Sequence, residues 1–252
     1  MSILLIFAHP DDESFFTTGV ACKYGEAGRS VVLCCATRGQ RGSTGQPPLT
    51  TVEELPVVRE RELREAAEIL GVSRLEILPY EDKKLAEAPA EEIRASLVGL
   101  IRRHRPAIVI TFDPNGGNLH PDHIAISRFT TDAVTAAADA RWVFPELGPD
   151  LGPAHRVPRL LWAGVVLPWE ETDRDRLAAR PGVDFLIDVG PWREAKRRAL
   201  AVHRTQQPSI GRLFFSRPDL DDVLRFETFR LGAGAPPETV PAADLFAGLP
   251  DP

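Results

Sequence analysis

Apolar runs alternate with stretches of helical spacing along most of the chain. Residues 3–8 form a short continuous apolar run, residues 31–36 and 75–78 read as a second and a third strand, and residues 107–112, rich in β-branched positions, as a fourth. Runs of this length read as buried strands. Between them lie amphipathic stretches over residues 14–27, 57–70, 89–104 and 121–138, long enough for helices. In the second, Leu63, Ala66, Ala67 and Leu70 recur at helical spacing. Gly28 and Gly71 supply helix stops, and Pro89 stands in a first turn, where a missing N–H does no harm. Further strands are predicted over residues 160–167, 183–189 and 225–231, and a further helix over residues 192–206.

This alternation is the pattern of βαβ units. It predicts a single α/β domain, a Rossmann-like three-layer α/β/α arrangement around a mostly parallel sheet. The domain is assigned to residues 1–231. Residues 232–252, rich in Pro, Ala and Gly, are expected to form a poorly ordered tail whose docking candidates are Leu245, Phe246 and Leu249. Residues 144–158 carry four prolines and two glycines and read as a surface loop. Residues 39–56 are too long for a simple connection and suit an active-site loop.

At 252 residues with 43% hydrophobic and 26% charged positions, the chain is an ordinary soluble globular protein with room for a cleft. A net charge of −6 argues against a nucleic-acid partner, which needs a basic surface. No apolar run approaches the ~20 residues of a membrane-spanning helix. The start lacks a basic leader and meets Asp11, Asp12 and Glu13 at once, so a signal peptide is not expected. Cys22, Cys34 and Cys35 are odd in number and form no C-x-x-C pair, which points to reduced, buried thiols and a cytoplasmic setting. Homo-oligomerisation is left open.

Two polar clusters follow predicted strands, where open parallel sheets carry their chemistry. The first is His9-Pro10-Asp11-Asp12-Glu13, in the place where a dinucleotide fold would have its glycine-rich turn. Three packed acids repel one another unless a cation holds them. The second is His120-Pro121-Asp122-His123, which opens a helix. Each has a plainer reading alone, as a turn or an acidic helix start. Together they offer imidazole nitrogens and a carboxylate, a donor set that favours zinc or another first-row divalent metal over magnesium or calcium.

These residues resemble the PIG-L/LmbE family of zinc N-deacetylases. The match is Ala8-His9-Pro10-Asp11-Asp12-Glu13 with His120-Pro121-Asp122-His123. Weaker echoes are Thr37-Arg38-Gly39-Gln40-Arg41-Gly42, Arg59-Glu60-Arg61-Glu62-Leu63, residues 196–206 and Arg225-Phe226-Glu227-Thr228-Phe229. The resemblance implies that His9, Asp12 and His123 bind zinc. It implies that Asp11 is the general base for the attacking water. His120 then stabilises the oxyanion or protonates the leaving amine, and Asp122 orients His120. Arg59 is implied to contact substrate. A tyrosine that some members place two residues before the first histidine of H-P-D-H is Asn118 here, whose amide can still donate to an oxyanion. His203, Gln206, Glu227 and Trp192 read first as structural residues. Phe15, Phe16 and Trp169 are candidates for the pocket wall, the first two rather for the core.

The implied activity is hydrolysis of an N-acyl group, usually acetyl, on an amino sugar or glycoconjugate. Alternatives are another small amide or carbamoyl substrate, or a non-catalytic protein that uses zinc to capture a ligand. An intact Asp11 and His120 count against the last, since binding alone needs no base.

Overall fold

The computed structural model describes residues 1–142 and 151–250. The apolar runs become strands β1 (Ser2–Phe7), β2 (Ser30–Thr37), β3 (Arg74–Tyr80) and β4 (Ile108–Phe112). Strands β5 (Arg159–Ala163), β6 (Phe185–Asp188) and β7 (Phe226–Gly234) complete one seven-stranded sheet in the order β3-β2-β1-β4-β5-β7-β6. The first five positions are parallel, while β7 runs antiparallel to both β5 and β6. The expected α/β arrangement with a mostly parallel sheet is the one found. Every residue of β4, and all of β1 after Ser2, is buried, as strands covered on both faces require.

The helices include α1 (Asp12–Phe16), α2 (Thr18–Glu26), α3 (Leu55–Ile69), α4 (Ala90–His104), the kinked turn α5 (Gly116–Leu119), α6 (Pro121–Ala137), α7 (Arg174–Ala179) and α8 (Arg193–Val202). α8 packs on α2 and α3, and α4 packs on α6. The chain runs outward from β1 through β2 to β3, then returns to β4 on the other side of β1. The carboxyl ends of β1 and β4 therefore flank the point where the direction of winding changes, which is where such sheets form a crevice.

Several boundaries depart from the pattern-based expectation. The helix predicted over residues 14–27 breaks at Thr17, which leaves helical geometry at φ −139° and ψ 4°. The break creates a second helix start, whose free N–H groups at Gly19 and Val20 donate to the two carboxylate oxygens of Glu227 at 2.9 and 2.8 Å. Lys196 Nζ adds a buried ion pair to Glu227 at 2.7 Å. The strand predicted over residues 160–167 ends at Ala163 because Gly164 turns into the left-handed region, φ 81°. The helix predicted over residues 192–206 ends at Val202 and continues as a 3-10 turn over Arg204–Gln206. The proline-rich loop predicted over 144–158 lies partly outside the described residues.

The tail expected to be loose is docked as far as residue 250. Leu245 and Phe246 are buried in the core. Arg159, fully buried, donates to the carbonyls of Ala235 at 2.8 Å, Leu245 at 2.5 Å and Ala247 at 2.9 Å. Three carbonyls on one guanidinium explain how so polar a group sits inside. The composition hid this, because the anchor is a residue 76 or more positions upstream.

Candidate active site

The two polar clusters meet because β1 and β4 are neighbours. His9 and Pro10 leave the end of β1. Asp113 and α5 leave the end of β4 and deliver His120 as the cap of α6. Gly116 lets the second loop close: its φ is +66°, and a Cβ there would lie 2.7 Å from the Cβ of His123. Asp82 arrives from the loop after β3, a residue that the clusters in the sequence did not include.

The donor geometry is specific. His9 Nδ1 and His123 Nε2 face each other at 3.2 Å. An Asp12 carboxylate oxygen lies 3.4 Å from His123 Nε2, and the other lies 3.8 Å from His9 Nδ1. A tetrahedral ion with bonds of 2.0–2.1 Å has ligand–ligand edges of about 3.3 Å. The outer ring nitrogens are engaged as well. His9 Nε2 lies 3.1 Å from Asp122 Oδ2 and 3.1 Å from Asp82 Oδ1. His123 Nδ1 lies 3.1 Å from the Gly116 carbonyl. These acceptors place the ring protons on the outer nitrogens and turn the lone pairs of His9 Nδ1 and His123 Nε2 toward each other and Asp12. Carboxylate or carbonyl partners behind a ligating imidazole are the usual support for a metal. The donor set therefore fits a first-row divalent cation.

Donor atoms of His9, His120 and His123 all come within 4.8 Å of one another, so His120 is a rival ligand. Its own partner argues otherwise. His120 Nδ1 accepts from the backbone N–H of Asp122 at 3.2 Å, which leaves the ring proton on Nε2. Nε2 is then a donor. Burial and the neighbouring His9 and His123 hold its pKa below the usual histidine value, so the ring is neutral at pH 7.

Asp122 does not orient His120 through its carboxylate, as the resemblance implied. Fully buried, that carboxylate accepts from Lys83 N at 2.6 Å and Leu85 N at 3.1 Å and faces His9. In the first turn of α6 the side chain is directed back at the loop after β3 rather than at its own cap.

Burial opposes charge on His9, yet the Asp122 and Asp82 carboxylates outweigh it and raise the imidazole to about 10. The extra proton of the metal-free protein occupies the place between His9 and His123. A metal must expel it. Calorimetric titration with zinc at pH 6, below the pKa of about 7 of a zinc-bound water, in buffers of different ionisation enthalpy, is expected to show about one proton released per metal and affinity rising about tenfold per pH unit. Zinc binding with no proton release would contradict this state of His9.

Asp11 occupies the left-handed region, φ 112°. Its backbone N–H donates to Glu13 Oε2 at 3.0 Å. Arg59 lies beneath, 3% exposed, donating to the carbonyls of Pro10 and Gly39 and lying 3.3 Å from Asp11 Oδ2. The sequence suggested that Arg59 touches substrate; here its guanidinium is engaged by the turn that carries Asp11. Gly39, at φ +64°, provides the room, since a Cβ there would collide with the guanidinium. Burial outweighs Arg59 and pushes the Asp11 carboxyl up to about 6, whereas His123 and His9 overcome burial and hold Asp12 down to about 2.

The late segment after α8 ties this turn and its loop together. His203 Nε2 meets Glu13 Oε1 at 2.7 Å. Thr205 Oγ1 donates to Glu62 at 2.7 Å, and Gln206 Nε2 donates to the Ser43 carbonyl at 2.8 Å. Asn118 uses its side-chain oxygen to accept from His120 N at 3.1 Å, which leaves its amide nitrogen to donate. All of these metal-ligand candidates, with Asp11, Arg59, Asn118 and His120, line one cleft of about 300 Å³.

A His/Asp donor set fit for a metal at the switch point of a mostly parallel sheet, with a further carboxylate and imidazole alongside, is an arrangement that metal-assisted hydrolases use. The chain belongs to the PIG-L family, whose model, described as GlcNAc-PI de-N-acetylase, matches residues 4–134. It is 31% identical to the 1D-myo-inositol 2-acetamido-2-deoxy-alpha-D-glucopyranoside deacetylase of Rhodococcus jostii, over 98% of each chain. It is 30% identical to the mycothiol S-conjugate amidase of Streptomyces coelicolor, over 100% of this chain and 98% of that one. Among solved structures, a conserved protein of Thermus thermophilus superposes with a TM-score of 0.71 at 26% identity, over 97% of this chain and 99% of that one.

Proposed function

We propose that this protein is a zinc-dependent N-deacetylase that acts on an N-acetylated amino sugar within a small glycoconjugate. The observation that carries the reading is the convergence of His9 Nδ1, His123 Nε2 and Asp12 beside a carboxylate, Asp11, that is not among the metal-facing atoms. A site for binding alone has no use for that base. The deacetylase and the amidase among its relatives both cleave amides, which supports the same reaction here.

When bound, the metal supplies Lewis acidity and a water whose pKa falls to about 7. The chain's own residues do the rest. Asp11 takes the proton from the attacking water; its raised pKa keeps it basic enough to accept. His120 Nε2–H and the Asn118 amide donate toward the oxygen that becomes an oxyanion. Asp11 then hands the proton it took from the water to the departing nitrogen, while His120 keeps its own, releasing an amine and acetate. The buried, free thiols of Cys22, Cys34 and Cys35 suit a reducing cytoplasm, and no described helix is long and apolar enough to cross a membrane.

The test is amine release from N-acetylglucosamine as free sugar, inositol glycoside, malate glycoside and lipid-linked form, with zinc-loaded and chelated protein. Zinc-dependent release from at least one is expected. Silence on all four with one zinc bound would remove the amino-sugar assignment.

A further inference from the structure

Strands β2 and β3 pair in parallel until Thr37 meets Tyr80, where their ladder ends. Gln40 carries the link one step further with its side chain. Its Nε2 donates to the Tyr80 carbonyl at 3.2 Å, and its Oε1 accepts from the Asp82 N–H at 3.3 Å. The next residue adds a bond from Arg41 N–H to Asp82 Oδ2 at 2.8 Å. The proposed reaction gives Gln40 no part.

An amide is what this position needs. The backbone groups it meets are one carbonyl and one N–H, so the side chain must donate and accept at once. A carboxylate only accepts, a lysine only donates and an aliphatic chain does neither. The consequence reaches the metal donors through Asp82. That residue is 3% exposed, and with Oδ2 held by Arg41 N–H its Oδ1 lies 3.1 Å from His9 Nε2. The other ring nitrogen, His9 Nδ1, is the one that converges with His123 Nε2. A carboxylate behind a ligating imidazole fixes its tautomer and orientation only while their hydrogen bond stays aligned. Asp122, which shares His9 Nε2, has its own backbone donors at Lys83 and Leu85. Asp82 instead takes its support from the loop after β2.

We infer that Gln40 is a positioning residue for the metal site: its amide locks Asp82 behind His9 and so sets how tightly the site holds its cation. The inference rests on the zinc reading of His9, Asp12 and His123. It is a statement about metal affinity, which is read without substrate. The hydrogen bonds of Gln40 go to the backbone of Tyr80 and Asp82, and its route to the donor atoms runs through the Asp82 carboxylate.

The test is the Kd for zinc, measured by competition with a chelating indicator, in the wild-type protein, Gln40→Met, Asp82→Ala and the double variant. Methionine keeps the length of the side chain and removes the paired donor and acceptor. Gln40→Met is expected to weaken zinc binding about tenfold and Asp82→Ala at least as much, within the range that partners behind a ligating histidine supply. The double variant is expected to match Asp82→Ala, because the amide then has no carboxylate left to align. Melting temperatures of the metal-free proteins separate this from a loss of fold: a purely structural bond would lower them in both backgrounds and leave the zinc Kd of the folded protein unchanged. Wild-type affinity in Gln40→Met, or a further loss of about tenfold when it is added to Asp82→Ala, would overturn the inference. A wild-type protein that takes up no zinc would overturn the metal reading and the inference together. Zinc binding without amine release would count against the deacetylase reading alone, and the affinity ratios would still decide the role of Gln40.

Discussion

Asp11→Asn is expected to lower kcat by about 10³-fold, within the range that a positioned general base supplies. The substitution keeps the shape of the side chain and removes only its ability to take a proton. Zinc content should stay at one equivalent, because the converging atoms belong to His9, Asp12 and His123. Arg59 loses one of its partners but keeps the carbonyls of Pro10 and Gly39, so the turn keeps its main support. Amine release and metal content on the same sample decide the matter. A metal-loaded variant that retains wild-type turnover would sink the assignment of Asp11 as base. The contrast is Asp12→Asn, which should lose activity through loss of metal.

The sheet was legible because buried parallel strands read as mostly apolar runs, as β1, β2 and β4 do, while the edge strand β3 shows only Leu75, Ile77 and Leu78 around Glu76. The candidate site was legible for a similar reason. His9, Asp11, Asp12, His120 and His123 fall within a few residues of two strand ends. What escaped is whatever depends on distant partners. The break at Thr17 exists because Glu227, far along the chain, caps the new helix. The docked tail depends on Arg159. Asp82 joins His9 from the end of β3, and the rule that sites gather at the carboxyl ends of strands could have singled it out among the charges of residues 81–84. Asp122 was placed near the right histidines but against the wrong one, since spacing along a helix does not reveal a loop that folds over it.

His203 shows the same limit and gives the second large effect. Its sequence reads as a packing histidine, yet it is the buried partner of the Glu13 carboxylate. Glu13 is 1% exposed and accepts from Ser14 Oγ at 2.6 Å and from Asp11 N at 3.0 Å, with His203 Nε2 at 2.7 Å. Burial opposes charge on His203, but Glu13 outweighs it and raises its pKa. A left-handed aspartate persists only while its surroundings hold it, at a strain of about 1–3 kcal/mol. Glu13 is part of that hold. In His203→Leu the buried carboxylate is left without its partner, a loss of about 3–5 kcal/mol. A Glu13 side chain no longer fixed by His203 holds Asp11 N less firmly, and Asp11 is then free to relax. A displacement of about 1 Å at a catalytic group costs on the order of 10²-fold in rate. His203→Leu is therefore expected to lose about 10²-fold in kcat with KM and zinc content little changed, and His203→Gln, which keeps an N–H facing Glu13, to recover most of it. A role in folding alone would lower the melting temperature and the metal-loaded fraction but leave kcat per bound zinc intact. Wild-type kcat per zinc in His203→Leu would show that Asp11 is held without the Glu13–His203 pair.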